Sequence, residues 1–202
     1  MADGRVTAFD AAVMVEAHDR STWRRWLEAN HSTSSGGWLV TWRSSSGRRG
    51  LDYEAAVEEA LCFGWVDGQA GTVDDSRSKL YFAPRRPGSP WARSNKERVE
   101  RLERDGLMMS AGRAVIERAK ADGSWSILDA ADRLEVPPDL AAALDARPPA
   151  RRHWDGFPPG ARKALLSWIA LAKRGDTRAS RIDRTAAAAQ RNERANEQRR
   201  ER

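Results

Sequence analysis

The sequence changes character after Trp125, and this change determines how the chain divides. Before it, segments with a strand-like period of two lie between segments with helical spacing. After it, pairs of prolines separate segments rich in alanine and leucine, which are typical of helices. We therefore predict an α+β domain over residues 1–125, with a small antiparallel sheet and packed helices, and a helical region over residues 126–185.

The N-terminal part contains the elements that such a sheet needs. Trp38, Val40 and Trp42 lie at every second position, which is the period of a strand. Two further strands, from Trp65 and over residues 79–83, flank a polar turn and predict a hairpin. Helices are predicted from segments that follow Asp19 and Asp52 and that start at Pro90 and Ser110.

The net charge of +6 lies mostly at the C-terminal end. From Lys173 to Arg202 ten basic residues stand against five acidic ones, a net of +5, so the rest of the chain carries +1. The same stretch has one large apolar residue, Ile182, and we predict a basic, disordered tail over residues 186–202. Because glutamates are interleaved with the arginines, nucleic acid is not expected as the main partner.

Several classes of protein are excluded by composition. The longest strongly apolar run covers nine residues, 164–172, whereas a membrane-spanning helix needs about 20. Asp10 and Glu16 interrupt the apolar stretch that a secretory signal requires, so we expect a cytoplasmic protein without membrane insertion. A single cysteine, Cys62, and three histidines predict no disulfide, no metal site and no cofactor.

Arginines near the third predicted helix suggest an anion-binding site. Asn95 and Arg98 fall on or beside the apolar stripe of this helix, where a buried amide and guanidinium need partners. Arg85 and Arg86 enter from the preceding loop, close to the positive end of the helix dipole. The alternative is that Arg98 pairs with Asp67 or a glutamate and only joins the helix to the hairpin.

Aromatic residues extend this candidate site. Most of the nine tryptophans should be core, but Trp42, Trp65 and Trp91 lie beside an arginine, glycine or aspartate and are predicted to line a pocket. Cys62 lies among apolar residues, which favours an inert thiol over a nucleophile. No catalytic residue is assigned, and the predicted ligand-binding residues are Trp42, Cys62, Trp65, Asp67, Arg85, Arg86, Trp91, Asn95 and Arg98.

Three sets of motifs resemble the YdeI/OmpD-associated family of bacteria, often labelled bacteriocin-protection proteins. They are the segment from Glu59 to Gln69, the pattern Arg85-Arg86-Pro87, Trp91, Asn95 and Arg98, and the C-terminal pairs Trp168-Ile169, Ala172-Lys173, Thr177-Arg178 and Arg181-Ile182. The resemblance covers about residues 20–125 and 139–185. It implies protection against bacteriocins or association with an outer-membrane porin, and it implies no catalytic residues.

From these observations we predict a non-enzymatic binding protein with a role in antimicrobial or stress tolerance. Its pocket, between the segment from Cys62 to Gln69 and the helix from Pro90, would take an anionic or aromatic small molecule or a peptide. One alternative is a small enzyme that uses Cys62 or Asp67. Another is a nucleic-acid-associated protein that acts through the basic tail. The sequence does not specify the oligomeric state.

Overall fold

The computed structural model describes residues 12–195 and divides into two compact units. Within this range the first unit comprises residues 12–89 and 94–122, and the second comprises residues 90–93 and 123–195. The sequence places the boundary after residue 125, and nothing in it indicates that residues 90–93 join the helical unit.

The first unit is built on a mixed sheet, which within the described residues has four strands in the order β1-β2-β4-β3. The strands are β1 (Val13–Glu16), β2 (Gly37–Trp42), β3 (Trp65–Thr72) and β4 (Arg77–Pro84). The α+β class and the hairpin of β3 and β4 are confirmed. The sheet is not wholly antiparallel, because β1 pairs in parallel with β2. Sequence analysis missed this short edge strand, in which Val13 and Met14 are exposed.

The described part of this unit contains four α-helices: α1 (Arg20–Asn30), α2 (Tyr53–Cys62), α3 (Arg93–Arg104) and α4 (Ser110–Ala121). The first residue of α3, Arg93, is assigned to the second unit. Helix α2 begins at the predicted cap, where the Asp52 carboxylate accepts from the Ala55 N–H at 2.8 Å, and the Asp19 carboxylate caps α1 in the same way by accepting from the Thr22 N–H at 2.8 Å. Each bond satisfies a backbone donor that the first helical turn leaves free.

Helix α3 begins three residues later than predicted. Pro90 is not its first residue, because the segment before Arg93 is not helical. Instead, the Trp91 N–H donates to the Ser124 carbonyl at 3.4 Å, within the second unit. A proline start signal cannot reveal this long-range backbone bond.

Helices α1 and α2 pack on the sheet and bury its central residues. The Trp23 indole N–H donates to the Ala56 carbonyl at 3.1 Å, and its ring lies 5.2 Å from that of Phe82 on β4. Trp23, Leu27, Ala60 and Phe82 are completely buried. This cluster holds α1 and α2 against the sheet.

The second unit is helical, as predicted. Its described helices are α5 (Asp129–Asp132), α6 (Pro138–Asp145), α7 (Ala150–Gly156), α8 (Pro159–Ala170) and α9 (Gly175–Gln190). Prolines occupy the first position of α6 and α8, where the missing N–H has no helical partner to lose. Leu140, Trp154 and Leu165 are completely buried and form the centre of its core.

Helix α9 continues into the segment predicted as a disordered tail. The tail was expected from residue 186, but the helix ends at Gln190, and Ala186 and Ala189 are completely buried. The prediction of disorder over residues 186–190 is therefore wrong. It failed because alanines can pack closely without large apolar side chains. Two residues beyond the end of α9, Asn192 is in the left-handed conformation, and the Glu193 N–H donates to the Ala188 carbonyl at 2.9 Å. Residues 196–202 of the predicted tail lie outside the described residues.

Within residues 12–195, no helix combines the length and the apolar character that crossing a membrane requires.

Candidate ligand-binding site

A cavity of about 610 Å³ opens in the first unit where β2 ends and α2 begins. Its lining combines apolar, aromatic and polar side chains from the sheet, the following loop and α2. Leu39 and Ala56 are buried apolar residues of this lining, and Trp42 and Tyr53 supply aromatic rings. A cavity of this size and composition is typical of small-molecule sites.

Trp42 is held in place by two neighbours. The His18 ring stacks on it with centroids 4.8 Å apart and planes 21° from parallel. The Arg48 guanidinium lies 4.4 Å from the indole centroid, within the range of a cation–π interaction. The ring is only half-buried, so part of its surface remains available.

The loop over residues 43–50 borders the cavity and carries only positive charge. It contains Arg43, Arg48 and Arg49 and no acidic residue. Arg43 lines the cavity, and its Nη2 donates to Thr72 Oγ1 at 2.6 Å. The Nε of Arg43 is buried and has no hydrogen-bond partner among residues 12–195, which leaves one donor unsatisfied.

Backbone and threonine contacts fix the end of this loop. The Leu51 N–H donates to Thr41 Oγ1 at 3.0 Å, and the Thr41 hydroxyl donates to the Leu51 carbonyl at 3.3 Å. A Cβ on Gly50 would lie 2.7 Å from Thr41 Oγ1, so the loop can approach β2 this closely only with glycine. The loop is therefore anchored at the edge of the cavity.

Tyr53 joins the cavity to the polar group predicted from the sequence. Its hydroxyl donates to Asp67 Oδ2 at 2.8 Å. Burial and the adjacent Asp67 carboxylate raise the pKa of Tyr53, so the hydroxyl keeps its proton. Asp67 immediately precedes an irregularity in the pairing of β3 with β4, a feature that commonly redirects a side chain.

Arg98 is engaged by Glu54 rather than directly by Asp67. Its Nε donates to Glu54 Oε1 at 3.0 Å and its Nη2 to Oε2 at 2.6 Å, a bidentate pair. Its Nη1 donates to Asn95 Oδ1 at 2.8 Å. The hydrogen bonds from Arg98 lower the pKa of Glu54. The alternative that Arg98 pairs with a glutamate is thus the one observed. The Arg98 guanidinium already has a carboxylate partner and is not free for a ligand.

Arg85 is buried in the same unit. Burial lowers its pKa to about 10, and the charge of Asp67 opposes that shift. Its backbone N–H donates to the Gly64 carbonyl at 3.0 Å. The neighbouring Arg86 is exposed. The charge of Asp67 therefore acts on both Arg85 and Arg98.

The remaining predicted residues lie in cores rather than at the cavity. Cys62 is completely buried, and burial followed by the charge of Glu59 raises its pKa to about 11. Trp65 is 1% exposed and donates to the His31 carbonyl at 3.2 Å. Trp91 is also 1% exposed and packs in the second unit, with its ring 4.9 Å from Trp125.

Of the nine predicted residues, only Trp42 lines the cavity. Sequence reasoning missed Arg43 and Tyr53. The signal that could have indicated Arg43 is the run Arg-Ser-Ser-Ser-Gly-Arg-Arg-Gly between a strand and the Asp52 cap, which is basic without an acidic counterpart. Nothing in the local sequence indicates that Tyr53 meets Asp67, fourteen positions away.

The fold and the cavity define a protein with an α+β unit that carries a pocket and a separate helical unit. Residues 133–192 match the family model described as "Bacteriocin-protection, YdeI or OmpD-Associated", the family that the motifs predicted. Residues 15–115, half of the chain, match the family of a domain of unknown function, DUF8412, and the chain belongs to that family. Many of the motifs that carried the resemblance therefore lie in the DUF8412 region. Searches of curated proteins and of solved structures gave no match.

Proposed function

We propose that this protein binds a small aromatic anion in the cavity beside Trp42 and does not transform it chemically. The observation that carries the proposal is that a half-buried indole and Arg43, whose buried Nε has no partner in the described part of the chain, line the same cavity. A planar ligand can contact the exposed edge of the indole, whose faces pack against His18 and Arg48, while its carboxylate or phosphate accepts from the Arg43 guanidinium.

The charges around the cavity favour an anion over a cation. Arg43, Arg48 and Arg49 follow one another in the bordering loop without an intervening carboxylate. Asp52 contributes to the lining, but its carboxylate already accepts from the Ala55 N–H. Helix α2 begins at the edge of the cavity, and the positive end of its dipole favours negative charge there.

Binding is better supported than catalysis at the residues considered for an enzyme. Cys62 is completely buried with a raised pKa, so little thiolate is present at neutral pH. Asp67 accepts a hydrogen bond from Tyr53. Neither group is presented to the cavity as a free nucleophile or base.

The family description supplies the cellular role to test. We propose that ligand binding contributes to protection against bacteriocins or related antimicrobial stress, and that the protein acts in the cytoplasm. Expression in a sensitive bacterium should raise the bacteriocin dose needed for killing, and the Arg43→Gln variant should lose that effect. Equal killing with and without the protein would refute this role but not ligand binding.

A thermal-shift titration tests the binding proposal. Indole-3-carboxylate should raise the melting temperature more than its neutral amide, because only the carboxylate can pair with Arg43. The same titration on Arg43→Gln should remove the difference, while Arg104→Gln, an exposed arginine on α3, should keep it. Equal shifts with both compounds on the unmodified protein would contradict an anion-binding site.

A further inference from the structure

The second unit carries two guanidinium groups on one indole ring. The Cζ of Arg181 lies 5.1 Å and that of Arg184 5.0 Å from the Trp168 ring centroid. The arginines are three positions apart on α9, so they share one face of that helix. Trp168 belongs to the last turn of α8 and is half-buried.

These two charges differ from those of neighbouring arginines, which have carboxylate partners. Arg178 makes two hydrogen bonds to Asp139, at 2.8 and 3.0 Å, and Arg174 pairs with Asp176. Asp183, next to Arg184 in sequence, pairs instead with Arg147 at 2.6 Å. Carboxylates are therefore present on this helix but are directed to other partners.

Arg181 and Arg184 have no carboxylate partner within the part of the chain that the structure describes. Arg181 uses one N–H to donate to the Trp168 carbonyl, which also ties α9 to α8. Arg184 is exposed and makes no hydrogen bond or ion pair with residues 12–195. A guanidinium has five N–H donors, so most donors of this pair are available to a ligand.

We propose that Trp168, Arg181 and Arg184 form a second binding site, specific for the dianionic phosphate group of a phosphomonoester or of free phosphate. The indole holds both guanidinium groups in place by cation–π contact, which reduces the freedom that ligand binding must remove. Planar guanidinium groups match the oxygens of phosphate and can donate two hydrogen bonds each. The site is separate from the cavity beside Trp42 and does not depend on it.

Indole N–H signals in ¹⁵N-correlated NMR spectra of the full chain give a local readout. Trp168→Phe identifies the Trp168 signal among those of the nine tryptophans. Inorganic phosphate should move this signal saturably, whereas sodium chloride at the same ionic strength should not. A phosphoserine peptide that binds more tightly than inorganic phosphate would identify a phosphorylated peptide as the source of the group, and equal or weaker binding would identify the free ion.

Substitutions at Arg184 decide whether the site is specific. Arg184→Gln should weaken phosphate binding by about tenfold or more, because it removes a charged donor pair. Arg184→Lys, which keeps the charge but not the planar fork, should give an intermediate affinity, and Arg174→Gln should bind as the unmodified chain does. Unchanged positions of the other indole signals establish that the variants are folded. Equal affinity of Arg184→Gln and the unmodified chain, or an equal response to chloride, would overturn the proposal.

Discussion

At the scale of single residues, the polar side chains of the first unit are mostly paired with one another. The sequence indicated that Asn95 and Arg98 would lie near the apolar stripe of their helix, and Asn95 is indeed buried. It could not indicate which acidic residue Arg98 would meet, because Glu54 is 44 positions away. Arg98 is accordingly a residue that joins α3 to α2, which leaves Arg43 as the stronger candidate for binding an anion.

A double-mutant cycle on Arg98 and Glu54 tests this assignment. Arg98→Lys and Glu54→Gln should show a coupling free energy of about 1 kcal/mol in urea unfolding, because a part-buried bidentate pair is lost. The coupling should exceed that of the more exposed pair Arg113 and Glu103. Stronger coupling of Arg98 to Asp67 than to Glu54 would contradict the observed pairing.

The pairing of Arg98 with Glu54 predicts that the coupling free energy between them depends on pH. The pKa of Glu54 is lower in the folded than in the unfolded chain, so its stabilisation is complete above the ordinary glutamate pKa and is lost as the pH falls through the lowered value. The Arg98–Glu54 coupling should therefore be constant near neutrality and decrease in acid. A coupling that increases on acidification would show that the pair is not ionic.

Cys62 should react slowly in the folded protein. With a pKa of about 11, its thiolate fraction near pH 8 is about a hundredfold below that of an ordinary thiol, and burial adds a steric barrier. Alkylation with iodoacetamide, followed by mass spectrometry, should be fast only in urea. Equally rapid modification of the folded protein would restore the nucleophile hypothesis.

At the scale of elements, one glycine allows the helices α2 and α4 to approach closely. A Cβ on Gly112 of α4 would lie 2.4 Å from the carbonyl oxygen of Cys62 and 2.7 Å from that of Leu61, at the end of α2. Backbone atoms cannot move aside as a flexible side chain can. A glycine at position 112 is therefore required by the packing of α4 against α2.

Gly112→Ala should destabilise the protein by about 1–3 kcal/mol, because α4 must move away from α2. Gly160→Ala is the control, since a Cβ there meets nothing within 4 Å, and it should change the unfolding free energy little. Urea unfolding followed by tryptophan fluorescence measures both. Similar stabilities for the two variants would contradict the close approach.

The sequence predicted those elements whose signals are local. The helices that follow Asp19 and Asp52, the strand through Trp38 and the turn between β3 and β4 depend on neighbouring residues, and all are confirmed. The predicted single apolar face of β2 is not observed, because residues 37–40 are all buried. β1 and the start of α3 depend on distant partners, which a pattern of nearby residues does not contain. The cavity was missed for the same reason, because β2, β3, β4 and α2 meet there only in the folded chain.

At the scale of the whole molecule, the positive charge of the C-terminal stretch is divided between a packed helix and the residues beyond it. Removal of residues 186–202 should lower the melting temperature, because it deletes the buried Ala186, Ala188 and Ala189. Removal of residues 196–202 alone should leave it nearly unchanged. Thermal denaturation followed by circular dichroism compares the two deletions, and equal melting temperatures would contradict the packing of α9 seen here.

Isothermal titration of indole-3-carboxylate into three proteins tests the central claim, that the cavity beside Trp42 binds an aromatic anion. The unmodified chain and Arg104→Gln should bind with one site and equal affinity, and Arg43→Gln should bind about tenfold more weakly, because it loses a charge-assisted hydrogen bond. Binding of equal strength to all three proteins, or to none of them, would contradict the claim.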